Sequence, residues 1–150
     1  MSKNRFFRSL LIAGFFLFFI NSLVLADEPQ VFGDYTVHYN AFNTDTLQPK
    51  VAAAYNIVRS KNRGMMTISV LKKTNSGNKP ARASITASAS NLTGQFRTFK
   101  VREVDENNAI YYLSEFHVAH EEMLKFTLKI LPEDSAQPIT INFRQKFFTQ

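Results

Sequence analysis

The chain of 150 residues contains no cysteine and no tryptophan. Without cysteine it has no disulfide, no thiolate zinc site, no thiol nucleophile and no lipid-modified cysteine anchor. Glycine is sparse, at five residues, and no Gly-rich loop of the phosphate-cradling kind occurs. Carboxylates are missing from the whole start of the chain, the first being Asp27. A second long apolar run is missing too, so nothing beyond the N-terminus is expected to span a membrane.

What the N-terminus does have is phenylalanine. Six of the fifteen Phe residues lie in the first twenty positions. Lys3, Arg5 and Arg8 precede an apolar run from Leu10 to Ile20, and Val24-Leu25-Ala26 follows Asn21-Ser22. A positive start, an apolar stretch and a small residue at the cut make a secretory signal. The run of eleven residues is too short for hydrocarbon, which takes about 20. Residues 1–26 are therefore read as a cleaved signal peptide and residues 27–150 as one domain. Removing the signal leaves fifteen basic and twelve acidic residues, a net charge of +3. The basic character of the whole chain is thus partly an address, and export argues against nucleic acid or ATP as partners. A cysteine-free exported domain of this size suits the bacterial periplasm, since it can bury enough surface to fold without disulfides.

From residue 35 onward the dominant pattern is alternation, the mark of a half-buried strand. Leu124, Phe126, Leu128 and Ile130 alternate with Lys125, Thr127 and Lys129; Ile139, Ile141 and Phe143 alternate with Thr140, Asn142 and Arg144. Further strands are predicted over 35–41, 65–73, 83–89, 95–104 and 109–118. In the last of these, Tyr111 and Leu113 oppose Ile110 and Tyr112, so both faces are expected to be covered. Asn75–Pro80 and Asp105–Asn108 read as turns. Seven strands without a long helix predict an all-β fold, an antiparallel immunoglobulin-like β-sandwich. Leu47 to Ile57, with Pro49 near its start and three consecutive alanines, predicts one short inserted helix of two to three turns, placed to plug one end of the sandwich.

Chemistry-bearing motifs are few. His117 and His120 are an odd number of positions apart on a strand, which sends them to opposite faces, and no zincin pattern surrounds them. Ser69-Val70-Leu71-Lys72 matches the letters of an acyl-enzyme motif, but on a strand the lysine faces away from the hydroxyl. No catalytic residue, metal or cofactor is expected. The densest basic run is Arg59-Ser60-Lys61-Asn62-Arg63, suited to an anionic group. Asn43, Tyr55 and Arg59, joined by Lys61 and Arg63, form the candidate ligand site, a cleft beside the helix.

Phe32-Gly33-Asp34-Tyr35-Thr36-Val37-His38-Tyr39-Asn40-Ala41-Phe42-Asn43-Thr44 resembles the opening of the DUF4426 domain, a family of exported proteobacterial proteins. Leu47, Pro49, Val51-Ala52, Tyr55, Ile57, Arg59-Ser60 and the strand Met66 to Leu71 continue the likeness. The resemblance implies a signal peptide and a single all-β domain, and it implies no catalytic residues. Together these readings predict a non-enzymatic binding or interaction module of the envelope. Its partner is expected to be an envelope protein or an anionic envelope component, met at a sheet edge or in the cleft. The exposed aromatic tail Phe147-Phe148 is a candidate for edge pairing. The alternatives are a carrier with an apolar cavity between the sheets and, behind it, an envelope hydrolase.

Overall fold

A computed structural model describes residues 28–150; the predicted signal peptide and its cleavage point lie outside the described residues. Alternating side chains build ten strands: β1 (Gln30–Phe32), β2 (Tyr35–Asn43), β3 (Arg63–Thr74), β4 (Gly77–Pro80), β5 (Ala83–Asn91), β6 (Phe96–Phe99), β7 (Arg102–Asp105), β8 (Ile110–His117), β9 (Glu122–Pro132) and β10 (Ile139–Phe147). They form two antiparallel sheets. One is six-stranded in the order β1-β2-β3-β8-β7, with β4 also on β3; the other is four-stranded in the order β10-β9-β5-β6. The architecture is the all-β sandwich that the alternation predicts.

Ten strands replace the expected seven for two reasons. Gln30–Phe32 and Gly77–Pro80 are short extra strands, too brief for alternation to register. The expected strand over 95–104 is two strands, broken at Lys100-Val101. Its first half pairs with β5 in one sheet and its second half with β8 in the other. The chain changes sheets there while Phe99 and Val101 both pack against the core.

That core lies between the sheets and is aromatic. Phe126 stacks on Phe143 with ring centroids 4.8 Å apart. Phe116 meets Phe99 at 4.8 Å and Phe147 edge-on at 5.6 Å. Ala87 and Ala89 face this cluster from β5, fully buried. Small residues there leave volume for large rings opposite, as dense packing requires. Gly64 does the same on β3, since a Cβ at that position would run into the Phe116 ring. Phe147 is buried and only Phe148 is exposed, which corrects the expectation of an exposed two-residue aromatic tail. The aromatic filling leaves the sheet interior as core, not as the apolar cavity a carrier of the expected kind requires.

Side-chain bonds clasp the two sheets. The Ala83 N–H at the start of β5 donates to the Tyr112 hydroxyl on β8 over 2.8 Å. Arg82 pairs with Glu103 and Asp105 on β7. Arg97 on β6 donates across to the His117 carbonyl on β8 at 2.9 Å and is held by Glu122 on β9 of its own sheet at 2.7 Å.

Candidate functional site

The site grows from residues of β2, β3, β7 and β8 that face away from the core. Phe42, Met65, Leu113 and Val104 put apolar surface on the outside of the six-stranded sheet. Something must cover it, and the inserted segment does. Residues Thr44–Thr46 form a 3₁₀ turn and Pro49–Ala54 a single helix, α1. Proline at the first helical turn has its φ preset and no N–H to satisfy. The helix stops because Asn56 takes a left-handed φ of 55°. The Asn56 N–H then donates to the Ala53 carbonyl (3.2 Å) and the Ile57 N–H to the Ala52 carbonyl (2.8 Å). This paired closure is a Schellman motif, whose hydrophobic contact is Ile57 with Ala52. Both are buried in a second cluster with Met65 and Leu113.

Two expectations are corrected here. The helix spans six residues, not two to three full turns, and it lies on the outer face of a sheet instead of plugging the end of the sandwich. Its packing residue is Ala52, while Val51 and Val58 are exposed. The cause is visible in the sheet: the apolar outward residues Met65 and Leu113 offer burial that the sandwich end does not. The expected two-sided covering of the strand over 109–118 is met through Leu113.

Between helix and sheet remains an open apolar pocket of about 200 Å³. Phe42, Met65, Thr67 and Leu113 form its floor; Leu47, Val51, Tyr55, Ile57 and Tyr111 form its walls. Thr67 contributes the sole side-chain hydroxyl of the floor. The Tyr55 hydroxyl donates to Glu106 Oε1 over 2.5 Å, joining the helix end to the tip of the β7–β8 hairpin. This bond, with burial and the Glu106 charge behind it, holds the Tyr55 hydroxyl above the ordinary phenol pKa. Arg102 on β7 donates to the Tyr55 carbonyl over 2.6 Å, so a cation meets the helix C-terminus where the dipole favours it.

Of the predicted ligand residues, Tyr55 lines this pocket and the other four do not. Arg59 Nε donates to the Leu47 carbonyl (2.7 Å) and its terminal nitrogen to the Asp45 carbonyl (2.8 Å). The guanidinium thus ties the inserted segment down. Asn43 Nδ2 donates to the carbonyls of Lys61 (2.7 Å) and Phe148 (3.0 Å). Arg63 pairs with Glu115 at 3.9 Å, and the Lys61 side chain lies exposed outside the pocket. Buried Thr44 completes the scaffold, donating to the Val58 carbonyl (2.8 Å) and accepting the Ser60 N–H (2.9 Å). Sequence reasoning missed the pocket floor. Its signal was present in the outward parity of Phe42, Met65 and Leu113.

The remaining candidates for chemistry are dispersed. His120 Nδ1 accepts the Thr149 N–H at 3.2 Å, and its ring meets Phe148 edge-on. Lys72 pairs with Asp134 at 3.2 Å, on the strand face opposite Ser69. Among the described residues no group of three or more His, Asp or Glu converges as metal ligands. No helix among them is long and apolar enough to cross a membrane.

Residues 29–150 match the model of a domain of unknown function, DUF4426. A DUF4426 family protein from Pseudomonas aeruginosa PAO1, solved as a crystal structure, is 38% identical with a TM-score of 0.69, covering 82% of this chain and 95% of that one. FetP from uropathogenic Escherichia coli strain F11, expressed in the periplasm of its host, shares the fold at 11% identity and a TM-score of 0.57, over 83% of this chain and 95% of that one. A copper-bound variant of FetP aligns similarly, at 12% identity and a TM-score of 0.55, over 83% and 92% of the two chains. No curated protein matches the chain. On the family match across nearly all the described residues, and the 38%-identical relative, the chain belongs to the DUF4426 family.

Proposed function

We propose that this protein is a non-enzymatic binding module of the bacterial envelope, working in the periplasm, that takes an apolar anchor side chain of a protein segment into the pocket beside α1. The secretion address at the N-terminus supports the compartment. The open, almost wholly apolar pocket on the outer sheet face is the observation that carries the reading. Its volume of about 200 Å³ falls below the roughly 300–1,000 Å³ of small-molecule sites. It suits one aromatic or aliphatic side chain, the usual centre of an interface hot spot. Tyr55 and Tyr111 at the rim add ring surface with polar tips, a combination common where one side of a contact stays wet. The second reading, a carrier of a small apolar ligand, draws on the same pocket, and the size argues against it.

The test is photocrosslinking in intact cells from a benzophenone amino acid at Val51, on the pocket wall, with Lys79 on β4 as the remote control. The reading expects a discrete protein adduct from position 51, absent from position 79 and abolished by Thr67→Arg, which fills the pocket from its floor. A small-molecule adduct from position 51 would establish the carrier instead. Equal labelling from both positions would remove the pocket as the site.

A further inference from the structure

The outer face of the four-stranded sheet has a different character. Its outward residues are Ser84, Thr86, Ser88 and Ser90 on β5, Phe96 and Thr98 on β6, and two basic strands. Lys125 and Lys129 stand on β9; Arg144 and Lys146 stand on β10. No outward position of these four strands carries a carboxylate. Lys146 reaches Glu121 in the β8–β9 turn at 3.2 Å. Lys125, Lys129 and Arg144 take part in no ion pair among the described residues, whereas Arg63, Lys72, Arg82 and Arg97 each have a carboxylate partner.

Register sharpens the contrast. Arg144 lies directly opposite Lys125, a like-charge pairing that destabilises a sheet. Between them is a dish of about 350 Å³, rimmed by Ser90, Thr127 and Asn142. Two cations, the Ser90 hydroxyl and the Asn142 amide N–H, oriented by the Thr127 hydroxyl that donates to Asn142 Oδ1 over 2.8 Å, surround one concavity with the donors a phosphate needs. The line continues across the sheet: Lys125 is opposite Ser90, and Ser90 is opposite Phe96. Phe96 is 69% exposed, and Leu92, in the turn before it, 72%. One row therefore runs from paired cations through a hydroxyl to large exposed apolar side chains, about 14 Å at the usual strand spacing.

We propose that this face docks on an anionic phospholipid bilayer, the Lys125–Arg144 dish seating a lipid phosphate while Phe96 and Leu92 enter the interface. The cations alone would suit any polyanion. The exposed Phe and Leu beside them select a bilayer, where basic groups meet headgroups and apolar side chains reach the acyl boundary. The attraction also relieves the repulsion between Arg144 and Lys125.

Flotation with phosphatidylglycerol/phosphatidylethanolamine vesicles, set against phosphatidylcholine vesicles and soluble dextran sulfate, tests this. The exported domain, residues 27–150, is expected to float with the anionic vesicles and not with the neutral ones. Lys125→Gln/Arg144→Gln should weaken partitioning about 30-fold, at roughly one power of five per cation. Lys73→Gln/Lys79→Gln, with the same loss of charge on the other sheet, should change it less than about threefold. Phe96→Ser should weaken it about tenfold, with melting curves confirming that each variant is folded. Equal loss from the two lysine-containing pairs, or no binding, would overturn the surface. Vesicle binding indifferent to Phe96→Ser and matched by dextran sulfate would overturn the bilayer as its occupant.

Discussion

The two outer faces of this sandwich come from the same period-two rule and end differently. On the six-stranded sheet, outward Phe42, Met65 and Leu113 are apolar, and the longest non-strand excursion among the described residues covers them. On the four-stranded sheet the outward residues are mostly Ser, Thr, Lys and Arg; nothing covers them, and the few apolar ones, such as Phe96 and Leu131, stay exposed. The fate of a face is thus decided by its outward residues, while the inward residues of both sheets serve one aromatic core. The covered face keeps an apolar gap; the bare face keeps a surplus of positive charge.

The sharpest way to break this contrast is a pair of truncations. Leu113→Ala removes a buried side chain from beneath the helix and should cost about 2–5 kcal/mol in urea unfolding. Thr86→Ala on the bare face should stay within about 0.5 kcal/mol. Comparable losses would mean that the bare face is structurally occupied after all. Next comes the closure that seats the helix. Asn56→Ala forces a Cβ-bearing residue without asparagine's tolerance into the left-handed region and should cost about 1–2 kcal/mol, with faster amide exchange at Ile57.

The clasp between the sheets gives a pH arm. Burial holds the Tyr112 hydroxyl above its ordinary pKa, the first of several causes. A phenol that keeps its proton longer in the folded state lends stability that is complete below pH 10 and lost as pH rises through the folded value. Tyr112→Phe should flatten that alkaline limb and cost about 1 kcal/mol at neutral pH, because the Ala83 N–H loses its acceptor. An unchanged limb would assign it to Tyr55, whose hydroxyl is also raised. The smallest effect has the opposite sign. Lys125→Thr relieves the repulsion with Arg144 and should stabilise by a few tenths of a kcal/mol at low salt, a gain that vanishes near 1 M salt, where screening acts within about 3 Å.

Much of the fold is written locally. Leu124 to Ile130 and Ile139 to Phe143 announce strands because each position needs only its neighbours to be read. Leu113 likewise announces a strand whose outer face is covered, though Tyr111 beside it stays exposed. The sheet change at Lys100-Val101 is not local: alternation passes through it unbroken, and only the pairing partners differ. Arg144 and Lys125 lie nineteen positions apart in sequence, so their opposition exists only once the β9–β10 register is set. The candidate site shows the same divide. Tyr55 could be picked out as an aromatic on a short helix. Arg59 looked like an anion receptor because a run of charges carries no sign of the carbonyls of Asp45 and Leu47 that the fold brings to it.

The crossing from β6 in one sheet to β7 in the other at Lys100-Val101 has a geometric outcome for the two layers. With the β4–β5 and β8–β9 connections it stitches the layers with covalent backbone, and their face-to-face packing makes the two outward directions opposites, with roughly 10 Å of packed interior between the layers. Whatever lies beneath the basic side, the groove beside the helix looks the other way, into open solvent, where a passing chain can reach it without contest.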